Sequence, residues 1–318
     1  MSAYDFNVTG TTLIADAMEL IGAKEESEAI SGDQTTTALR FLNMLAKAWQ
    51  AQGYHRHRKQ EVVIPLVKGQ RQYFLGPAST DAEWADENDF FNTLLNGAVA
   101  SGRVLTVDST ANMSSGDRIG VELTDNTMHW TTISSITSTT ALMITTAIVS
   151  AASDNGIVYS YTSRPQRPLR ILHSRRRSTP SANDVETWKL SDEEYQSQPS
   201  KETEGTPVNY NYKPAKSDGT LTSGTLSVWQ PPGNSKVQLR LTVERPTKDF
   251  DAAGDALDWP AEWALAFTYN LATLLEPQHG VIGAQRVRDL RDDARMYLGQ
   301  VSTFDLDTGP IRFQPRRY

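Results

Sequence analysis

Between Ser31 and Tyr54, Ala38, Leu42, Leu45 and Trp49 recur at steps of four, three and four residues. That spacing lays one apolar stripe along a helix with a period of about 3.6 residues. Arg40, Asn43, Lys47 and Gln50 fall mostly on its other faces. Ser31 followed by Gln34 predicts a capping box, in which side chains satisfy orphan backbone donors at a helix start. Gly53 stands where a left-handed residue commonly closes a helix. A shorter helix is predicted from Thr11 to Ile21, with Ile14, Ala17, Met18 and Ile21 on one side and Gly22 as its stop. Joined by a short polar loop, the two predict an antiparallel helical hairpin.

The same period returns near the other end. Pro260 and Glu262 suit a helix start. Trp263, Phe267, Leu271 and Leu274 make a stripe that Pro277 should end. A further helix is expected from about Gly283 to Leu298, with Val287, Leu290, Ala294 and Tyr297 inward. Arg288, Arg291, Asp292 and Arg295 should face mostly outward. Packed on the hairpin, these helices predict a four-helix core. From Ser302 to Tyr318 neither period survives, so an extended arm that orders against a neighbour is expected.

The middle of the chain reads as strands. Glu61 to Val67 is one, with Pro65 pushing it toward an edge, and Gln72 to Leu75 is a second. Asp81 to Asp89 reads as an acidic loop or short helix. Beyond it, Arg103–Val107, Arg118–Leu123, Met128–Ile136, Ala141–Thr145 and Ile157–Tyr161 are short strands separated by turn residues. This regular spacing suggests a small barrel or sandwich inserted into the core. Ser191 and Glu194 cap a short helix. Pro207–Tyr212, Thr225–Trp229 and Val237–Val243 are further strands, the last two joined by a hairpin through Pro231 to Asn234. The fold class expected is therefore α+β. It combines the four-helix core, an antiparallel β layer, an inserted small all-β domain and a C-terminal arm. The expected domains are 1–77 with 161–301 as a discontinuous core, 78–160 as the insert and 302–318 as the arm.

Composition changes this picture little. The 318 residues are 38% hydrophobic and 22% charged, with a net charge of −7. A dedicated nucleic-acid binder is usually basic. With no cysteine, disulfides, thiolate nucleophiles and cysteine zinc sites are excluded. No apolar run approaches a membrane span, and the first residues carry no basic and apolar regions of a signal peptide. Synthesis and assembly in a cytoplasm are expected.

The order of several segments also matters: TLIADAMELIGA, the loop AISGDQ, then ALRFLNMLAKAWQAQGY and a strand leading to QYFLGP. Later come ETEGTPVNYNY, TLSVWQPP and LTVERPTKDFDAAGDALDWPAEWALAFTYNLATLLEP. Together they resemble the head-to-tail adaptors of short-tailed phages, also called tail accessory factors or head completion proteins. The resemblance lapses between Ala78 and Ser160. It implies a structural protein with no enzymatic activity and no cofactor. It also implies a ring of twelve copies at the portal vertex of the virion tail, assembled in the host bacterial cytoplasm. That ring would bind the portal protein, extend the channel for double-stranded DNA and dock a tail nozzle, hub or fibre. The arm, with Phe304, Pro310, Ile311, Phe313, Arg316, Arg317 and Tyr318, is expected to reach the portal. The insert is expected to project as a decoration or fibre contact.

Other chemistry is weighed beside this. Arg164, Arg167, Arg170, Arg175, Arg176 and Arg177 form the densest basic segment. It could contact DNA phosphates, pair with an acidic partner surface, or be a solvated edge that blocks aggregation. His55 and His57 could share a strand face, yet no third metal ligand lies nearby, so no metal is expected. Asp305 to Gly309 resembles the opening of a calcium loop but lacks the later glutamate. Glu193 with Glu194, or Asp249 with Asp251, could be a carboxylate pair for cell-wall hydrolysis, which needs two carboxyls facing across a cleft. Trp49, Trp259, Trp263 and Phe267 read as core or subunit-interface packing. A tail-borne peptidoglycan hydrolase and a DNA-binding module are thus the alternatives to the adaptor.

Overall fold

A computed structural model describes residues 6–25, 28–54, 56–78, 82–179, 181, 183–215 and 222–304. The helices are α1 (Gly10–Leu20), α2 (Gly32–Gln52), α3 (Asp192–Ser197), α4 (Ala264–His279) and α5 (Ala284–Phe304). The first strands are β1 (Lys59–Pro65), β2 (Gln72–Leu75), β3 (Ala85–Asp86), β4 (Phe91–Leu94) and β5 (Gly102–Thr106). Next come β6 (Arg118–Glu122), β7 (Met128–Ile136), β8 (Ala141–Ile148), β9 (Ile157–Tyr161) and β10 (Arg170–Ser178). The last are β11 (Asp184–Glu186), β12 (Trp188–Lys189), β13 (Asn209–Lys213), β14 (Gly224–Trp229) and β15 (Val237–Glu244).

The expected fold class is overturned. Among the described residues fifteen strands form three sheets and only five α-helices occur, so the chain is mostly β rather than a helical core with a β layer. Five strands carry no expectation from the sequence: β10 coincides with the basic segment, and β3, β4, β11 and β12, of two to four residues, are too short to show an alternating period. Contacts divide the chain into a unit of residues 1–58 with 247–318 and a unit of residues 59–246.

In the first unit, α2 begins with the capping box: the Ser31 hydroxyl accepts from the Gln34 amide, and the Gln34 side chain accepts from Ser31 N–H. Gly53 ends it at φ 97°, a conformation costly for any residue with a Cβ. The apolar stripes of α1, α2, α4 and α5 meet in one core. Trp49 lies 5.5 Å from Trp263 and 4.5 Å from Phe267, and Trp259 lies 4.6 Å from Trp263. Two expectations shift here. Pro277 sits inside the last turns of α4, which continues to His279, and Leu274 is partly exposed while Leu275 is buried. Helix α5 also runs to Phe304, beyond the expected stop.

In the second unit, a five-stranded sheet (β11-β10-β15-β1-β3) and a four-stranded sheet (β12-β13-β14-β2) share one apolar core. Val62, Ile64, Leu239 and Leu241 come from the first sheet and Tyr73, Leu75, Leu226 and Val228 from the second. Val63 points the other way, into a cluster with Phe90, Tyr159 and Tyr161. Thus β1 is covered on both faces, which explains its unbroken apolar run. It is an inner strand, not the edge that Pro65 suggested. Its last residue, Pro65, pairs with Gln238 of β15, and β3 pairs only with Val62 and Val63. The Pro231–Asn234 turn joins strands of different sheets rather than making a hairpin.

The remaining six strands run in the order β4-β9-β6-β7-β8-β5. A bridge between Leu95 and Val107 joins the two outer strands. The Asn96 amide donates to the Thr106 carbonyl at 2.9 Å, and the Asp108 amide to the Leu94 carbonyl at 3.0 Å. The sheet therefore closes into a barrel without free edges. Its interior is filled by Leu105, Ile119, Val121, Ile133, Leu142, Ile144 and Val158. On the outside, a Cβ at Gly120 would come within 2.7 Å of the Trp130 ring, so glycine is what lets that ring lie against the strand.

Candidate functional site

Arg170, Arg175, Arg176 and Arg177 of the basic segment lie on β10, an inner strand between β11 and β15, rather than at an edge, and Arg164 and Arg167 lie in the segment before it. Alternation sends successive side chains to opposite faces, and each arginine finds an acceptor within its own unit. Arg164 donates to Glu83 at 2.7 Å and to the Ala82 carbonyl at 3.1 Å. Arg167 donates to the Pro214 carbonyl, and Arg170 pairs with Glu244. Arg175 meets Glu61 at 3.0 Å, and Arg176 donates to the Pro207 carbonyl at 3.1 Å. Arg177 holds Asp184 in a two-pronged contact of 2.6 and 2.8 Å. Hydrogen bonding from Arg177 holds the Asp184 carboxyl below the usual carboxylate range. A phosphate approaching this strand would have to compete with carboxylates already in place.

The strongest buried charge is beside this segment. The Glu83 carboxylate takes Arg164, Arg118 and the Tyr161 hydroxyl together. Burial opposes the charged form of Arg118, but the Glu83 contact outweighs it and raises its pKa. Burial also raises the Tyr161 phenol, and the charge of Glu83 adds to the rise. Tyr161 is therefore a neutral donor that seals the cluster rather than an acid. Sequence reading missed this group. Its signal, a lone glutamate in an acidic stretch, becomes legible only when a barrel strand and the 164 turn are brought to it.

Of the two carboxylate pairs, Asp249 and Asp251 line an open depression with Asn43, Met44 and Lys47, and Glu193 and Glu194 lie on α3. Glu194 accepts from the Ser191 amide at 2.7 Å as part of the α3 cap, while Glu193 is exposed. Asp249 is held by Lys47 at 2.7 Å. The His57 ring lies 4.5 Å from Trp259 within the aromatic cluster, and His55 lies outside the described residues. No group of three or more His, Asp or Glu among the described residues is placed to hold a metal.

Of the proposed arm, Phe304 is the last residue of α5. Pro310, Ile311, Phe313, Arg316, Arg317 and Tyr318, like Asp305 to Gly309, lie outside the described residues. Trp49, Trp259, Trp263 and Phe267 are buried in the core, with Trp259 in a bend just before the helical turn at Ala261–Trp263 rather than on a helical face. The helical unit nonetheless exposes large apolar side chains: Met44 is 58%, Leu265 48% and Met296 46% exposed. No helix among the described residues is long and apolar enough to cross a membrane.

No family model matches the chain, and no curated protein matches it by sequence. Among solved structures, the chain was matched to the complex of VP16 and VP17, the two major capsid proteins of bacteriophage P23-77. Identity there is 10%, over 58% of this chain and 73% of that one, with a TM-score of 0.16. VP17, a capsid protein of bacteriophage P23-77, matches at 10% identity over 64% of this chain and 75% of that one, with a TM-score of 0.15. Both neighbours are phage structural proteins. At such TM-scores no shared fold is established, and nothing below rests on them.

Proposed function

We propose that this chain is a structural protein of a phage particle that acts as a ring-forming head-to-tail adaptor. The observation that carries the reading is where the resembling segments fall. The runs TLIADAMELIGA and LNMLAKAWQAQGY lie some two hundred residues of sequence before LDWPAEWALAFTYNLATLLEP. They fold into α1, α2 and α4 of one unit, around Trp49, Trp259, Trp263 and Phe267. These helical parts of the resemblance thus belong to one physical object, while QYFLGP, ETEGTPVNYNY and TLSVWQPP fall on β2, β13 and β14 of the other unit.

The activity proposed is geometric rather than catalytic. A closed ring uses heterologous contacts, one patch on a subunit meeting a different patch on the next until the circle is complete. The apolar side chains left exposed on the helical unit are suitable material for such a contact. The segment beyond Phe304 supplies the contact with the portal. The ring lines the passage of double-stranded DNA without reading its sequence and docks a tail nozzle or fibre on its far side. The engaged arginines of β10 favour this reading over a DNA-binding module.

The test is the mass of the purified protein, alone and after mixing with the portal ring of the same particle. Monomers alone and about twelve copies on the portal, the number implied by the resemblance for a closed ring, are expected. Monomers that ignore the portal would overturn the reading.

A further inference from the structure

The four-stranded sheet has an outward face on which α3 lies. Its opposite face gives Tyr73, Leu75, Leu226 and Val228 to the apolar core. By alternation, the outward face presents two rows across three strands. Phe74, Thr225 and Lys213 stand side by side, as do Gln72, Ser227 and Asn211. Helix α3, fixed by its own capping box, brings Tyr195 and Gln196 beside them. Together these side chains enclose a cavity of about 200 Å³.

Its polar wall is deeply set. Asn211 is 3% and Ser227 4% exposed. The buried hydroxyl of Tyr195, which is 5% exposed, has no partner at ordinary hydrogen-bonding geometry. Burial raises the Tyr195 phenol, and the neighbouring Ser227 hydroxyl only partly offsets the rise. An unsatisfied hydroxyl at this depth is unusual in a folded protein. It leaves the wall with capacity for a ligand.

The chemistry of the wall narrows the class. Charge is balanced, because Lys213 is held by Asp192 at 3.0 Å and Asp192 also accepts from Asn211 at 2.9 Å. The Asn211 side-chain nitrogen donates to Asp192 and to the Leu190 carbonyl, so Asn211 offers its oxygen as an acceptor, while the Gln72 amide and the Ser227 and Tyr195 hydroxyls can both donate and accept. Phe74 adds one aromatic face. The volume is below the range of about 300–1,000 Å³ typical of drug-sized sites, so one ring fits rather than a chain of them.

We propose that this cavity binds a single neutral sugar ring. Its hydroxyls are met by Gln72, Ser227 and Asn211, and its C–H face lies on Phe74. The site does not depend on ring formation or on the portal.

Saturation-transfer NMR on the full chain tests it, with free glucose, galactose, mannose and N-acetylglucosamine as probes at up to tens of millimolar. Saturable transfer to at least one of the four, with millimolar affinity, is expected. Gln72 is exposed, so Gln72→Ala should leave the melting temperature unchanged and weaken that binding about fivefold, the worth of one net hydrogen bond. Ser227→Ala should weaken it similarly. If none of the sugars shows saturable transfer, the cavity holds water only and the proposal fails. If a sugar binds but neither substitution alters its affinity, the sugar binds elsewhere and the proposal fails equally.

Discussion

The two units solve the problem of a core in different ways. The helical unit gathers one apolar cluster, pinned by three tryptophans and Phe267. The β unit divides its burial among the space between two sheets, the barrel interior and the layer outside the barrel. It also carries charge inside, with Glu83 held between Arg118, Arg164 and Tyr161. The helical unit should therefore be sensitive to lost volume, and the β unit to lost charge and to pH.

The largest effect expected is at Trp263, which is 1% exposed and touches Trp49, Tyr54 and Trp259. Trp263→Ala should cost about 3–5 kcal/mol, the sum of lost transfer energy and a residual cavity. Denaturant unfolding followed by fluorescence should show the helical transition moving while the β transition stays. Movement of both together would erase the contrast.

Next is Glu83→Gln, which leaves two guanidinium groups facing a neutral amide. Breaking a buried pair costs about 3–5 kcal/mol. Because Arg118 remains 30% exposed, about 2 kcal/mol is the figure expected here. Thermal unfolding should place the loss in the β transition.

Alkali sharpens the same contrast. Burial pushes the Tyr210 phenol up to about 12, and raises Tyr73, Tyr161 and Tyr212 as well. The unfolded chain ionises these groups near 10, so between that value and the folded ones it binds fewer protons than the folded state. Stability from this source is complete below about pH 10 and falls as pH rises through the folded values. Unfolding midpoints between pH 9 and 11.5, read with tyrosinate absorbance, should fall first for the β transition.

The smallest effect is at the cap. Ser31→Ala should cost about 1 kcal/mol, seen as a modest loss of helical stability and no change in the β unit.

These differences also decide what could be read from the sequence. Helix α2 was legible because its stripe faces one core and its ends carry local chemistry at Ser31 and Gly53. The barrel strands β7 and β9 were legible through their turn residues. The fold class was not, because β10 lies under a run of arginines and because β3, β4, β11 and β12 are too short to carry a period. The polar cavity was half legible. Gln72 and Phe74, like Ser227 and Thr225, sit two apart, but only the register between β2, β13 and β14 brings them into two rows. The Glu83 cluster was invisible, since its partners come from thirty-five to eighty-one positions away.

The central claim is that the helical unit builds a ring on the portal through the segment beyond Phe304. The most direct measurement is the mass of the portal mixture for the full chain beside that for a chain ending at Phe304. The account predicts about twelve copies on the portal for the full chain and a loss of most of that binding for the shortened one. Equal binding by both would refute the role of the arm, and binding by neither would contradict the adaptor itself.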